Sequence, residues 1–134
     1  MILESAILYV KPGLTADFED SFRQASKIIS RMKGYIHHEL QKCMEQDNKY
    51  ILLVNWETLE DHTIGFRESE EYQVWKSLLH HFYDPFPVVE HYVNITLDQM
   101  ASRKQDKTLE TANAVRGFFS LSSFLFGALV MLFC

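Results

Sequence analysis

Apolar and polar residues alternate from Ile2 to Val10, with Ala6, Leu8 and Val10 on one side and Ser5, Ile7 and Tyr9 on the other. That period predicts a first strand. Lys11-Pro12-Gly13 ends it, since proline lacks a donor and glycine permits a tight turn. From Thr15 the period lengthens. Phe18, Phe22, Ala25, Ile29 and Met32 recur every three or four positions, and Asp17, Glu19 and Asp20 fall near the start, where a helix dipole favours acids. A helix is expected there, with Gly34 as its stop. Tyr35 to Met44 reads as a second strand, with Ile36, His38, Leu40 and Met44 facing one way and Tyr35, His37, Glu39 and Cys43 the other. The polar stretch 45–49 has hairpin length, so this strand is expected to pair antiparallel with the apolar run Tyr50–Glu57.

That apolar run suits a strand covered on both faces. Thr58 and Asp61 then have the spacing of a capping box, which predicts a helix start. Ser69, followed by Glu70 and Glu71, opens another, with Tyr72, Trp75, Leu78, Leu79 and Phe82 as its buried stripe. Asp84-Pro85-Phe86-Pro87 closes it, because proline disfavours helical geometry in the residue before it. Val88 to Leu97 is expected to form a last strand.

The order is strand, helix, strand, strand, broken helix, strand. It predicts an α+β, ferredoxin-like β-α-β-β-α-β fold, one antiparallel sheet with helices on one face. Ile51 and Leu53 point away from Leu52, Val54 and Trp56, so both sheet faces are apolar and the uncovered one needs a partner. A second copy of the chain is the economical choice, and a homodimer is expected.

The 134 residues suffice for one domain with its own core, and a net charge of −5 leaves no basic footprint for nucleic acid. Cys43 and Cys134 match no metal or redox spacing and are expected to remain free thiols in a cytoplasmic protein. Residues 1–98 are read as the folded domain, 99–116 as a polar linker and 117–134 as an apolar tail. As a helix the tail would extend about 27 Å, close to a bilayer core of about 30 Å. Arg103, Lys104, Lys107 and Arg116 precede it, which fits a cytoplasmic body with a C-terminal transmembrane anchor. The competing account is a helix packed on the body or on its dimer mate, or a non-native end to the reading frame.

Asn55, His62 and Arg67 cluster at the strand–helix corner and are the first candidates for chemistry. His62 has the titration range of a base near neutrality; otherwise it is an exposed helix residue beside Asp61. Asn55 interrupts an apolar strand, where a buried amide needs partners either for function or for structure. Arg67 can stabilise an oxyanion or pair with Glu68, Glu70 or Glu71. Trp56 and Trp75 serve a core as readily as a pocket. His37-His38 and His80-His81 cannot chelate as pairs, because adjacent residues diverge on strand and helix alike, and no metal site is expected.

These features together resemble the antibiotic biosynthesis monooxygenase family, whose members are dimeric α+β barrels. The resemblance rests on the element order, Lys11-Pro12-Gly13, Gly34-Tyr35, the strand ending Asn55-Trp56-Glu57-Thr58, Leu59 to Thr63 with Phe66-Arg67 and Glu70, and Pro87-Val88-Val89-Glu90-His91. It implies a cofactor-independent oxygenation in which an electron-rich quinol- or anthrone-like substrate is deprotonated and itself reduces O2. In that reading His62, Asn55 and Arg67 are catalytic, Trp56, Trp75, Phe66 and Tyr72 bind substrate, and neither metal nor cofactor is required. The family's haem-degrading branch carries an Asn–Trp–His triad; here Glu4-Ser5-Ala6-Ile7, Gly65 and Trp75-Lys76 stand near those positions, so that triad is absent. Gly65 also replaces a histidine common in the family, and His62 lies one turn earlier on the same helical face. The rival reading is a non-catalytic dimeric barrel that binds an apolar ligand or partner, held at a membrane by its tail.

Overall fold

A computed structural model describes residues 1–96, 107 and 109–116. The apolar tail 117–134 and half of the region read as a linker, residues 99–106 and 108, lie outside the described residues. The first compact unit is Met1–Asn94 and contains every element discussed below; in the second, which begins at Ile95, residues 109–116 are helical. Among the described residues no helix is long and apolar enough to cross a membrane.

The elements are β1 (Ile2–Tyr9), α1 (Thr15–Ile29), β2 (Tyr35–Lys42), β3 (Lys49–Trp56), a π-helix (Asp61–Phe66), α2 (Glu70–Leu79), a 3-10 turn (His80–Phe82) and β4 (Val89–Tyr92). All strand pairs are antiparallel and the sheet order is β2-β3-β1-β4. This is the expected ferredoxin-like arrangement. Phe18, Phe22, Ala25 and Ile29 of α1 and Trp75 and Leu79 of α2 bury against Ala6, Leu8, Leu52, Val54 and Trp56 of the sheet. The helices therefore cover one sheet face. Burial alternates strictly along β3, with Tyr50, Leu52, Val54 and Trp56 inward and Ile51, Leu53 and Asn55 toward the other face.

Several boundaries differ from the sequence pattern. β2 carries a bulge between Tyr35 and His37, where Tyr35 pairs with Trp56 and His37 with Asn55. The extra residue, Ile36, turns outward, so Tyr35 joins His38 on the inner side and the two are hydrogen-bonded through the phenol and Nδ1. β2 stops at Lys42 and β4 at Tyr92, both shorter than the apolar pattern suggests. Thr58 does cap the next segment, accepting from the Asp61 backbone N–H at 3.2 Å, but that segment continues as a π-helix rather than an α-helix. Ser69 caps α2 as its position predicts, accepting from the Tyr72 N–H at 3.1 Å.

Gly34 occupies the left-handed region at φ +81°, and a Cβ there would lie 2.0 Å from a carboxylate oxygen of Asp61. The glycine lets the start of β2 pass beside the π-helix, while its carbonyl accepts from the Glu57 N–H at 2.7 Å. Gly34→Ala is expected to lose about 1–3 kcal/mol from backbone strain, with displacement of Asp61 in addition. Thermal unfolding should show a lower midpoint, and an unchanged midpoint would contradict this packing.

Candidate functional site

The first strand brings an acid into the core. Glu4 shares the inward parity of Ala6 and Leu8, and its residue is only 6% exposed. Directly opposite it on β4 stands His91, so the antiparallel register sets a carboxyl and an imidazole side by side on one face. On the other flank, two positions along β3 from its direct partner Val54, Trp56 donates its indole N–H to one Glu4 oxygen at 2.8 Å. The π-helix contributes the third neighbour. Its widened turn buries both His62 and Phe66, and His62 Nε2 lies 3.3 Å from the other Glu4 oxygen. His62 Nδ1 is 2.8 Å from His91 Nε2. Glu4, His62 and His91 thus form a continuous chain, with the imidazole of His62 stacked at 5.4 Å on the Trp56 indole. π-Helical turns of this kind often occur at functional positions, where they re-aim a side chain.

This chain borders a cavity of about 360 Å³, within the size range of small-ligand pockets. Ala6, Leu8, Leu52 and Val89 form its apolar floor, Phe66, Tyr72, Trp75, Tyr83 and Phe86 supply aromatic walls, and Glu4, His62, Arg67 and His80 are its ionisable members. Phe66 packs edge-on against both Tyr72 and Trp75, with ring centroids 5.2 and 5.6 Å apart. Such contacts fix the wall rather than leaving it to adapt.

The electrostatics follow from burial. Loss of solvent raises the Glu4 carboxyl to about 7, against smaller opposing effects of the Trp56 hydrogen bond and the Arg67 charge. Loss of solvent also lowers His62 to about 3, assisted by Arg67 and His91. His91 is lowered as well, by burial and then by Arg67. Between these limits the pair holds a neutral acid against a neutral imidazole. The 3.3 Å contact is then a hydrogen bond between neutral groups rather than an ion pair. Neutralising both groups avoids the cost of burying separated charges.

Of the residues singled out from sequence, His62, Arg67, Phe66, Tyr72 and Trp75 meet around this cavity. His62 is not the exposed helix residue its neighbours suggested; it is 3% exposed. Arg67 is exposed at the cavity's edge and, among the described residues, makes no ion pair with Glu68, Glu70 or Glu71. Trp56 is fully buried and reaches the site through Glu4 rather than by lining the cavity. Asn55 lies on the other face of the sheet, beside Leu53, and is not brought to the cavity. Sequence reasoning missed Glu4, His91 and His80. The signal for Glu4 was present: it is the one acid at an inward-facing position of an alternating strand. His91 carried a similar signal, sharing its parity with Val89. Among the described residues no cluster of three or more His, Cys, Asp or Glu side chains is arranged to hold a metal ion.

The family model for antibiotic biosynthesis monooxygenases matches residues 1–78. An uncharacterised relative, YczJ of Bacillus subtilis strain 168, is 64% identical over 95 residues, covering 71% of this chain and all of that protein. A Bordetella bronchiseptica structure named for the same family superposes with a TM-score of 0.68 at 34% identity, over 71% of this chain and 97% of that one. SnoaB of Streptomyces nogalater, a cofactor-independent oxygenase, shares the fold with a TM-score of 0.55 at 20% identity, over 72% of this chain and 95% of its own.

Because the carboxyl of Glu4 is raised in the folded state, its ionisation favours unfolding. Below about pH 4.5 both states are protonated; above it the unfolded chain ionises first, so stability falls until about pH 7 and then levels off. Glu4→Gln removes this loss and should gain about 3 kcal/mol on the wild type across that window. Denaturant unfolding of both proteins at pH 4.5 and pH 8 measures the difference; a constant gap between them would contradict the neutral buried acid. The chain belongs to the antibiotic biosynthesis monooxygenase family.

Proposed function

We propose that the protein is a cofactor-independent monooxygenase acting on a small aromatic quinol- or anthrone-like substrate. The observation that supports this reading best is an aromatic-walled cavity with a neutral carboxyl–imidazole pair on one side and, at its edge, a guanidinium that makes no ion pair among the described residues. A flat, electron-rich ring suits walls made by Phe66, Tyr72 and Trp75. The Glu4–His62 pair takes the substrate's acidic proton, the carboxylate form of Glu4 receiving it and His62 serving as the hydrogen-bond acceptor beside it, and Arg67 stabilises the oxyanion that results. The anion then reduces O2. One oxygen atom is added to a ring carbon, the substrate gives up two hydrogens (both from that carbon in an anthrone, one from it and one from a hydroxyl in a quinol), and the other oxygen leaves with them as water. Tuning one acid toward neutrality and one imidazole away from charge is a common way to run acid–base chemistry near pH 7.

Purified protein freed of flavin and metals should consume O2 with at least one member of a series of quinols and anthrones. Removing one member of a general acid–base pair costs about 10²–10⁴-fold in rate, so His62→Ala should lose at least about a hundredfold. Uptake that is indifferent to His62→Ala would refute the site. Specific binding of these compounds with no O2 uptake by any of them would favour the non-catalytic binding barrel instead.

The same account assigns Asn55 to an interface rather than the cavity. Leu3, Ile7, Ile51 and Leu53 share the uncovered sheet face with it, and Ile7 is 38% exposed in the single chain. A second copy packed sheet to sheet removes that apolar surface from water. The apolar stretch 117–134 is proposed as an anchor for the cytoplasmic dimer. A chain ending at Met100 should sediment as a dimer without detergent, Leu53→Lys in it as a monomer, and the full chain should fractionate with membranes. A monomeric truncated chain or a full chain free in the soluble fraction would overturn the respective assignment.

A further inference from the structure

The mechanism above uses Glu4 and His62 but leaves His91 without a role. Its placement is specific: the register of β1 and β4 puts it directly opposite Glu4, yet its Nε2 meets His62 Nδ1 at 2.8 Å. His62 therefore uses both ring nitrogens, Nε2 toward the carboxyl at 3.3 Å and Nδ1 toward His91. An imidazole so placed can receive a proton at one nitrogen and release one from the other without carrying charge. Glu4 and His62 are buried, whereas His91 is half-buried on β4, an edge strand of the sheet. The chain of contacts runs from the cavity to the sheet's edge.

We propose that Glu4 is the acid–base residue that touches substrate and that it exchanges its proton with solvent through His62 and His91, the two imidazoles switching tautomer together. The relay has two proton arrangements. In the first, Glu4 is protonated and donates to His62 Nε2, His62 donates from Nδ1 to His91 Nε2, and His91 holds its proton on Nδ1. In the second, each proton has moved one step outward. Glu4 is then a carboxylate accepting from His62 Nε2–H, His62 Nδ1 accepts from His91 Nε2–H, and one proton has left to water. Neither arrangement contains an imidazolium, consistent with the lowered proton affinity that burial and Arg67 impose on both rings.

This rests on the oxygenase reading only for its use, since the relay itself is a property of the resting protein. It lets the carboxyl lose its proton by a route other than the cavity, so that a bound molecule there need not leave first. His91 acts through His62 and is a positioning residue rather than a catalytic one. His62 of the π-helix meets Glu4 directly and His91 of β4 meets His62, while the other ionisable groups lining the cavity that Glu4 borders are Arg67 at the end of the π-helix, Tyr72 of α2, and His80 and Tyr83 of the turn that follows. Among these, Arg67 is the charge that favours the carboxylate arrangement.

The test is a ring-nitrogen NMR titration of the full-length 15N-labelled chain from pH 5 to 9, which distinguishes protonated from bare nitrogens in each histidine. In the wild type, His62 and His91 should change from Nδ1–H to Nε2–H together, with one midpoint near the carboxyl value of about 7. Glu4→Gln should abolish the change in both rings. His91→Phe, which leaves Glu4 in place, should move the His62 change away from the wild-type midpoint, because His62 Nδ1 loses its partner in both arrangements. Separate midpoints, a switch that survives in Glu4→Gln, or a His62 that switches normally in His91→Phe would each overturn the relay. Oxygen uptake is not read here, so failure of the oxygenase assignment and failure of the relay are separate results.

Discussion

One carboxyl group sets the character of this molecule's interior. Glu4 sits where the sheet pattern calls for an apolar residue, and the fold accommodates it with an indole N–H on one oxygen and an imidazole nitrogen on the other. No buried side-chain polar atom among the described residues is left without a partner. An unpaired polar group at such depth costs free energy comparable to a sizeable share of a small domain's stability. The buried acid thus constrains its neighbours: Trp56 must present its N–H, the π-helix must turn His62 inward, and β4 must place His91 in register.

The secondary structure serves that constraint. A regular α-helix from Asp61 would carry its side chains past the sheet at 3.6 residues per turn. The wider π turn brings both His62 and Phe66 inward, so that the imidazole stacks on Trp56 and reaches Glu4 while Phe66 builds the wall. Gly34, lying against Asp61, provides the close approach that this turn needs. Fold and site are joined through these few contacts.

The element order, the covered face of the sheet and the stripes of both helices were legible in the sequence because hydrophobic periodicity is imposed by the core. Phe18, Phe22, Ala25 and Ile29 bury as their spacing requires, and Ser69 caps the helix its neighbours announce. What the pattern could not convey was register. A one-residue bulge at Ile36 reverses Tyr35, because side-chain direction alternates at every position. Asn55 falls on the far face for the same reason. His62, Arg67 and their aromatic neighbours were recognisable as residue types near one corner, but the partners that give His62 its chemistry come from the first and last strands. Glu4 and His91 are 87 positions apart in sequence and become neighbours only through the sheet. Local pattern records which face a residue occupies, and pairing across strands decides whom it meets there.

The account turns on Glu4 being a neutral acid in the folded protein at mildly acidic pH. Selective 13C labelling of glutamate side chains, with the Glu4 signal assigned by comparison to Glu4→Gln, reads that carboxyl directly. The predicted titration midpoint is about 7. A midpoint near the ordinary value of 4.5 would place an ionised carboxylate beside His62 at all working pH and contradict the central claim.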